Sequence, residues 1–190
     1  MQTRAGPGAC PARELRLLER ICDALFVAFS SAFSSAPTGD GYALTPLLEG
    51  APSVVYALEA SAQFRETVRS RFEAALRKGT LRLLDESDAL AMPSLADACV
   101  DVVFGMNVVY FLDPLEAYLR EIMRVLKPGG RLLFGCKETR CGNRAVFRNT
   151  SWSACAEAMR AAGFVDVSVG EPRLQGAAAY TPLAGAKASS

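Results

Sequence analysis

Gly39 and Gly41 stand 20 and 18 positions ahead of Glu59, a pairing of glycine turn and later acid that suits a nucleotide site. Glycines let backbone approach a ligand with no Cβ in the way, and a carboxylate at the end of the following strand accepts hydrogen bonds from ribose hydroxyls. Gly39-Asp40-Gly41 is also an everyday surface turn, and Glu59 also suits the first turn of a helix, where the macrodipole favours an acid. Both readings stand at this level. The chain has no histidine, so the usual carrier of protons at neutral pH is missing. Any base must come from Asp, Glu, Tyr, Lys or Cys. The six cysteines lack the paired short spacings of a zinc site, only Cys136 and Cys141 being near each other. They read as idle thiols in a reducing compartment, and no metal is expected.

The elements that must carry such a site alternate along the chain. Residues 1–11 hold Gly6, Pro7, Gly8 and Pro11 and read as a frayed start. Leu18, Ile21, Cys22, Leu25, Phe26 and Phe29 keep helical spacing, which predicts an amphipathic helix over residues 12–29. Ser30 to Pro37, where a first strand is wanted, is poor in strand formers. A short helical piece from Tyr42 to Glu49 follows, then a strand from Val54 to Leu58, a helix from Ser61 to Lys78 and a strand from Leu81 to Leu84. Arg65, Arg69, Arg71, Arg77 and Lys78 read as the solvated face of that helix.

The second half is more strongly patterned. Val100 to Met106 is a continuous apolar run, as in a parallel strand buried on both faces. Asp113-Pro114 predicts an N-cap and a first-turn proline, with Leu115, Tyr118, Leu119, Ile122, Met123 and Leu126 on one helical face. Lys127-Pro128-Gly129-Gly130 should stop that helix and lead into a buried strand from Arg131 to Phe134. Ser151 reads as an N-cap, Trp152, Cys155, Ala156 and Met159 as an inward face, and Gly163 as a stop. Phe164 to Val169 and Ala178 to Leu183 are the last strands, and their short connection predicts an antiparallel edge. Alternating strands and helices require right-handed crossovers and a parallel sheet with ligand at the carboxyl ends of the strands.

The 190 residues suffice for one core. A net charge of +1 sets up no long-range field for nucleic acid, and no apolar run approaches the ~20 residues of a membrane span. Acids interrupt the basic flank of the apolar stretch Ala24 to Phe33, which argues against a targeting leader. Cytoplasm is the expected location.

Asp101 to Asn107, taken with Arg124 to Phe134 and its Lys-Pro-Gly-Gly turn, resembles the second half of a class I S-adenosylmethionine-dependent methyltransferase. The resemblance extends over roughly residues 38–186, with Met92-Pro93 and Tyr180-Thr181-Pro182-Leu183 also in the family's wording. It implies a Rossmann-like fold: a mostly parallel seven-stranded sheet with an antiparallel last strand and helices on both faces. On this reading residues 1–37 are an N-terminal extension and residues 38–190 the domain. S-adenosylmethionine is the implied cofactor and a small organic molecule the methyl acceptor. Gly39 and Gly41 would lie against the cofactor and Glu59 on its ribose. Asp88 and Ala89 would contact adenine, the carboxylate accepting from the exocyclic amine and the backbone N–H donating to a ring nitrogen. Asn107 would meet the methionine part. Tyr110 and Asp113 are the candidate bases, and Phe147, Trp152 and Tyr42 candidate apolar walls. A solvated loop acid remains the alternative for Asp88, and core packing for Tyr110 and the walls.

In one respect the sequence departs from the family. The first motif has an acid and three alternating glycines, and alignment on Gly39 and Gly41 puts Ser35 at the acid and Pro37 at the first glycine. Loss of that acid removes a partner for the cofactor's ammonium. A methyltransferase-like domain without turnover, serving as a binding or scaffold protein, is therefore the rival reading. A nicotinamide-dependent oxidoreductase shares the glycine turn and acid but not Asp88-Ala89 or the Lys-Pro-Gly-Gly turn.

Overall fold

A computed structural model of the chain describes residues 23–28, 44–50, 52–137, 147–175 and 178–189. Gly39, Gly41 and Tyr42 lie outside the described residues. Eight strands are assigned among those described: β1 (Asp23–Ala28), β2 (Val54–Glu59), β3 (Leu81–Leu83), β4 (Val100–Met106), β5 (Leu126–Lys137), β6 (Val165–Val169), β7 (Arg173–Gln175) and β8 (Ala178–Ala186). The helices are α1 (Leu44–Glu49), α2 (Ala62–Arg71), α3 (Glu73–Lys78), α4 (Leu115–Val125) and α5 (Trp152–Ala161). The sheet runs β3-β2-β1-β4-β5-β8-β6, with β7 paired to β8 off this path. The strands from β3 to β5 are mutually parallel, and β8 is antiparallel to both β5 and β6. The last strand is thus inserted one place inside the edge that β6 forms.

The helix expected over residues 12–29 is overturned at its C-terminal end. Asp23–Ala28 is a strand, bonded to β2 on one side and β4 on the other. Leu25, Phe26 and Val27 are consecutive apolar residues, and so short a run suits a buried strand as well as a helix. The tie is broken by β2 and β4, whose facing backbone groups need a strand between them. The sheet therefore takes in residues ahead of position 38, where the sequence reading begins the domain.

Alternation along the strands feeds two cores, one on each face. Val55 and Ala57 of β2 join Leu44, Leu47, Val68 and Leu81 on one side. Leu58 turns to the other and joins Val103, Leu119, Ile122 and Leu132 in the larger core. Of the predicted apolar face of α4, Leu115, Tyr118, Leu119 and Ile122 are buried, Met123 is only partly so, and Val125 is buried in addition, each such large buried side chain contributing roughly 1.5–3 kcal/mol. α5 begins as expected at Ser151, whose Oγ accepts from Ala154 N at 3.4 Å. It stops before Gly163, which takes φ +96°.

Two boundaries differ from expectation. Asp113 does not cap α4: Pro114 occupies the N-cap position with ψ 133°, and the exposed Asp113 carboxylate faces Arg148 Nε at 3.5 Å. The helix then ends at Val125, ahead of the Lys-Pro-Gly-Gly turn, and that turn is an irregularity inside the extended β5. Its glycines answer to geometry. Gly129 has φ +76°, and a Cβ on Gly130 would lie 2.8 Å from the Lys127 carbonyl oxygen. Lys127 Nζ pairs with Asp101 Oδ2 at 2.9 Å, and Lys187 Nζ donates to the carbonyls of Met123 and Leu126 at the end of α4. No described helix is long and apolar enough to cross a membrane.

Candidate functional site

Because β2, β3 and β4 run in the same direction, Glu59, the segment after β3 and Asn107 all fall at one edge of the sheet. The order of connection reverses about β1, and the crevice at such a reversal is where open α/β sheets hold ligands.

Glu59 closes β2 and is only 3% exposed. Its Oε1 accepts from Ser61 N at 2.8 Å, and the Ser61 hydroxyl in turn caps α2 by accepting from Phe64 N at 3.4 Å. One turn into α2, Arg65 Nη1 donates to the carbonyls of Glu59 at 3.4 Å and Glu86 at 3.3 Å. Its other amino group approaches Asp85 at 3.9 Å, and its side chain is 13% exposed. The expectation of a solvated basic face is thus corrected at Arg65, which ties the loop after β2 to the loop after β3. Its place six residues beyond Glu59 was the only clue in the sequence.

Asp88 is exposed and Ala89 buried. Asp88 Oδ1 accepts from Leu90 N at 3.0 Å, while Oδ2 accepts from the Tyr118 hydroxyl at 3.2 Å. Glu86 Oε1 accepts from Ser94 N at 2.8 Å. Burial works against the Glu86 charge, but the bonds from Ser94 and the nearby Arg65 outweigh it and hold the carboxyl below its usual value. Beneath this loop, Glu121 Oε1 accepts from Met92 N at 2.7 Å and Arg124 donates to the carbonyls of Met92 and Leu95.

Asn107 follows β4 with φ +56°, a left-handed conformation that Asn adopts more readily than most residues. Its Oδ1 is buried and has no hydrogen-bond partner among the described residues, and Glu86 Oε2 at the same sheet edge is in the same condition. Buried acceptors without donors are uncommon, and an N–H or O–H of a ligand is the kind of group that satisfies them.

Tyr110 is fully buried, and its hydroxyl donates to the Lys137 carbonyl at 2.9 Å. Phe147 and Trp152 pack against its ring, each with centroids 5.7 Å away. Asn149 Nδ2 donates to the carbonyls of Val109 and Leu112, so residues 147–151 are fastened to the turn after β4. Tyr110→Phe is expected to cost about 1–2 kcal/mol, the loss of one bond to an inward carbonyl, with cofactor affinity unchanged. Urea denaturation beside ligand titration checks it. Asp113 lies on an open groove of about 690 Å³ that Phe147 and Asn149 of this cluster also line, together with Leu115, Arg148 and Cys155. The structure therefore brings Glu59, the Asp88 loop and Asn107 to one edge, and of the two base candidates it buries Tyr110 and exposes Asp113.

A mostly parallel sheet whose strand order reverses about β1, with a buried acid closing β2 and a buried acceptor following β4, has the architecture of the doubly wound α/β class, whose crevice at the reversal holds nucleotide cofactors. Residues 36–134 match the methyltransferase domain family, and the chain belongs to it. The resemblance to class I S-adenosylmethionine-dependent methyltransferases therefore holds, and S-adenosylmethionine is the cofactor of that class. Among solved structures, the cyclase SpnF is 18% identical, with a TM-score of 0.68 over 94% of this chain and 81% of its own. A SAM-dependent methyltransferase from Aquifex aeolicus is 19% identical, with a TM-score of 0.66 over 93% of this chain and 88% of its own. The S-adenosylmethionine-dependent methyltransferase SibL is 19% identical, with a TM-score of 0.64 over 93% of this chain and 55% of its own. At these identities the likeness speaks for the fold. No curated protein matches the sequence.

Proposed function

We propose that the chain binds S-adenosylmethionine across the carboxyl edge of β1, β2 and β4 and transfers its methyl group to a small organic acceptor. The observation that carries this reading is the buried Asn107 Oδ1 at the end of β4, which has no partner among the described residues. An acceptor there suits the ammonium of the cofactor's methionine part. Glu59 would accept from the ribose hydroxyls, while the Asp88 carboxylate and the Ala89 N–H would take the adenine edge. Gly39 and Gly41, which lie outside the described residues, would let backbone approach the cofactor with no Cβ in the way. When bound, S-adenosylmethionine supplies an electrophilic methyl group whose leaving thioether is neutral. The chain's task is then chiefly to align two reactants and keep water out.

Phe147, which packs on Tyr110, lines the groove and would give the methyl acceptor an apolar wall. Tyr110 has its proton engaged by the Lys137 carbonyl, so of the two base candidates Asp113 is the one with access to the groove. It would take the proton of an oxygen or nitrogen nucleophile as the new bond to carbon forms. The small net charge favours an uncharged or compact acceptor over a polyanion.

Calorimetric titration of the purified chain with S-adenosylmethionine, S-adenosylhomocysteine, NAD and NADP tests the reading. Micromolar binding of the two sulfur compounds alone is the expected result. Absence of binding by a folded sample would overturn it in favour of a relative without turnover, the reading that the substituted first motif supports.

A further inference from the structure

Tyr118, Glu121 and Arg124 stand three residues apart along α4, and all three grip the segment between Asp88 and Leu95. Glu121 takes Met92 N and Arg124 the carbonyls of Met92 and Leu95. These bonds set the height of the loop above the helix. Tyr118 differs in binding a side chain that itself faces solvent: its hydroxyl reaches Asp88 Oδ2 at 3.2 Å, while Leu90 N holds Oδ1 at 3.0 Å. An exposed aspartate ordinarily samples several rotamers. Here one oxygen is tethered by backbone and the other by a phenol that is only 6% exposed.

The geometry points to Tyr118 as a positioning residue for purine discrimination, fixing the Asp88 carboxylate so that its remaining lone pairs meet the exocyclic amine of adenine. The inference rests on the adenine role given to Asp88 above. A carboxylate already oriented loses less freedom when the base arrives, and a purine without the amine gains nothing from it. Tyr118 keeps its proton throughout the physiological range, since burial, and then the bond to Asp88, push its hydroxyl up to about 12. It therefore acts as a donor and not as a titrating switch.

The test compares S-adenosylhomocysteine with its 6-deamino purine analogue by calorimetry on the wild-type chain, Y118F, D88A and the double variant. Y118F is expected to bind S-adenosylhomocysteine roughly three- to tenfold more weakly, about the worth of one oriented hydrogen bond, and the purine analogue within about twofold of wild type. In the D88A background, Y118F should have no further effect on the preference for adenine. Equal weakening of both ligands by Y118F would show a merely structural role, and no weakening of either would show none. Both results overturn the inference. If D88A loses the preference for adenine and Y118F retains it, only the role of Tyr118 fails. If D88A retains it, the adenine role of Asp88 has failed and the inference falls with it.

Discussion

Glu59→Ala is expected to weaken S-adenosylhomocysteine binding ten- to hundredfold, with Glu59→Gln losing a smaller part. A carboxylate accepting from a hydroxyl is worth roughly 1.5–3 kcal/mol net, which is about one to two decades of affinity. The buried side chain at the end of β2 already holds Ser61 N with one oxygen, so its orientation does not have to be established on binding. Glutamine preserves that acceptor and the shape while removing the charge. Alanine also releases Ser61 N, and a loss of about 1 kcal/mol in folding stability is expected from that bond, offset in part by removing a desolvated charge. Calorimetry and thermal melts on both variants separate the effects. Unchanged affinity in Glu59→Ala would remove the ribose role, whatever the fold.

The largest loss of stability is expected at Arg124. Its guanidinium bonds both oxygens of Glu121 at 2.7 and 2.9 Å, the carbonyls of Leu95 and Met92 at 2.9 and 3.0 Å, and Asp97 at 2.6 Å. Asp97 is 78% exposed and contributes little. Glu121, at 16%, is a different case. Arg124→Ala leaves its carboxylate and two carbonyls without their donor, for a cost of about 2–4 kcal/mol. Arg124→Lys should recover less than half, because an ammonium cannot serve both carboxylate oxygens in one plane. Urea denaturation of the three proteins checks the order.

This network also predicts a dependence on pH. The bonds from Arg124 hold the Glu121 carboxyl below its ordinary 4.5 although burial opposes them. Between the folded and unfolded values the unfolded chain binds more protons, so stability from the pair is complete above the unfolded value. It is lost as pH falls through the lowered folded value. The stability gap between wild type and Arg124→Ala should thus be constant near neutrality and narrow in acid.

Much of the frame was legible because its signals lie among neighbours in the chain. The run from Val100 to Met106, the face of α4 and the Ser151 cap each state a local preference that packing does not oppose. The need for glycine at Gly129-Gly130 is also local, since a positive φ and a close carbonyl leave room for little else, but the pair lies inside β5 and not at the end of α4. Asp23–Ala28 was not legible in this way. Its apolar residues fit either period, and what made it a strand was the unpaired backbone of β2 and β4 on its two sides. Asp113 was misread as a cap because a residue before proline is held away from helical geometry, yet here the proline itself also stays extended.

The candidate site divides along the same line. That an acid closes the second strand, and that an asparagine able to take a positive φ follows the fourth, is written in residue order and strand length. That Arg65 turns inward to join two loops, that Tyr118 holds Asp88, and that the Tyr110 hydroxyl is spent on the Lys137 carbonyl depend on partners 21, 30 and 27 residues away. Local patterning sets which way a segment runs and which face it buries. Only the packed sheet and helices bring distant donors within reach of particular acceptors, because a hydrogen bond is decided within a few tenths of an ångström.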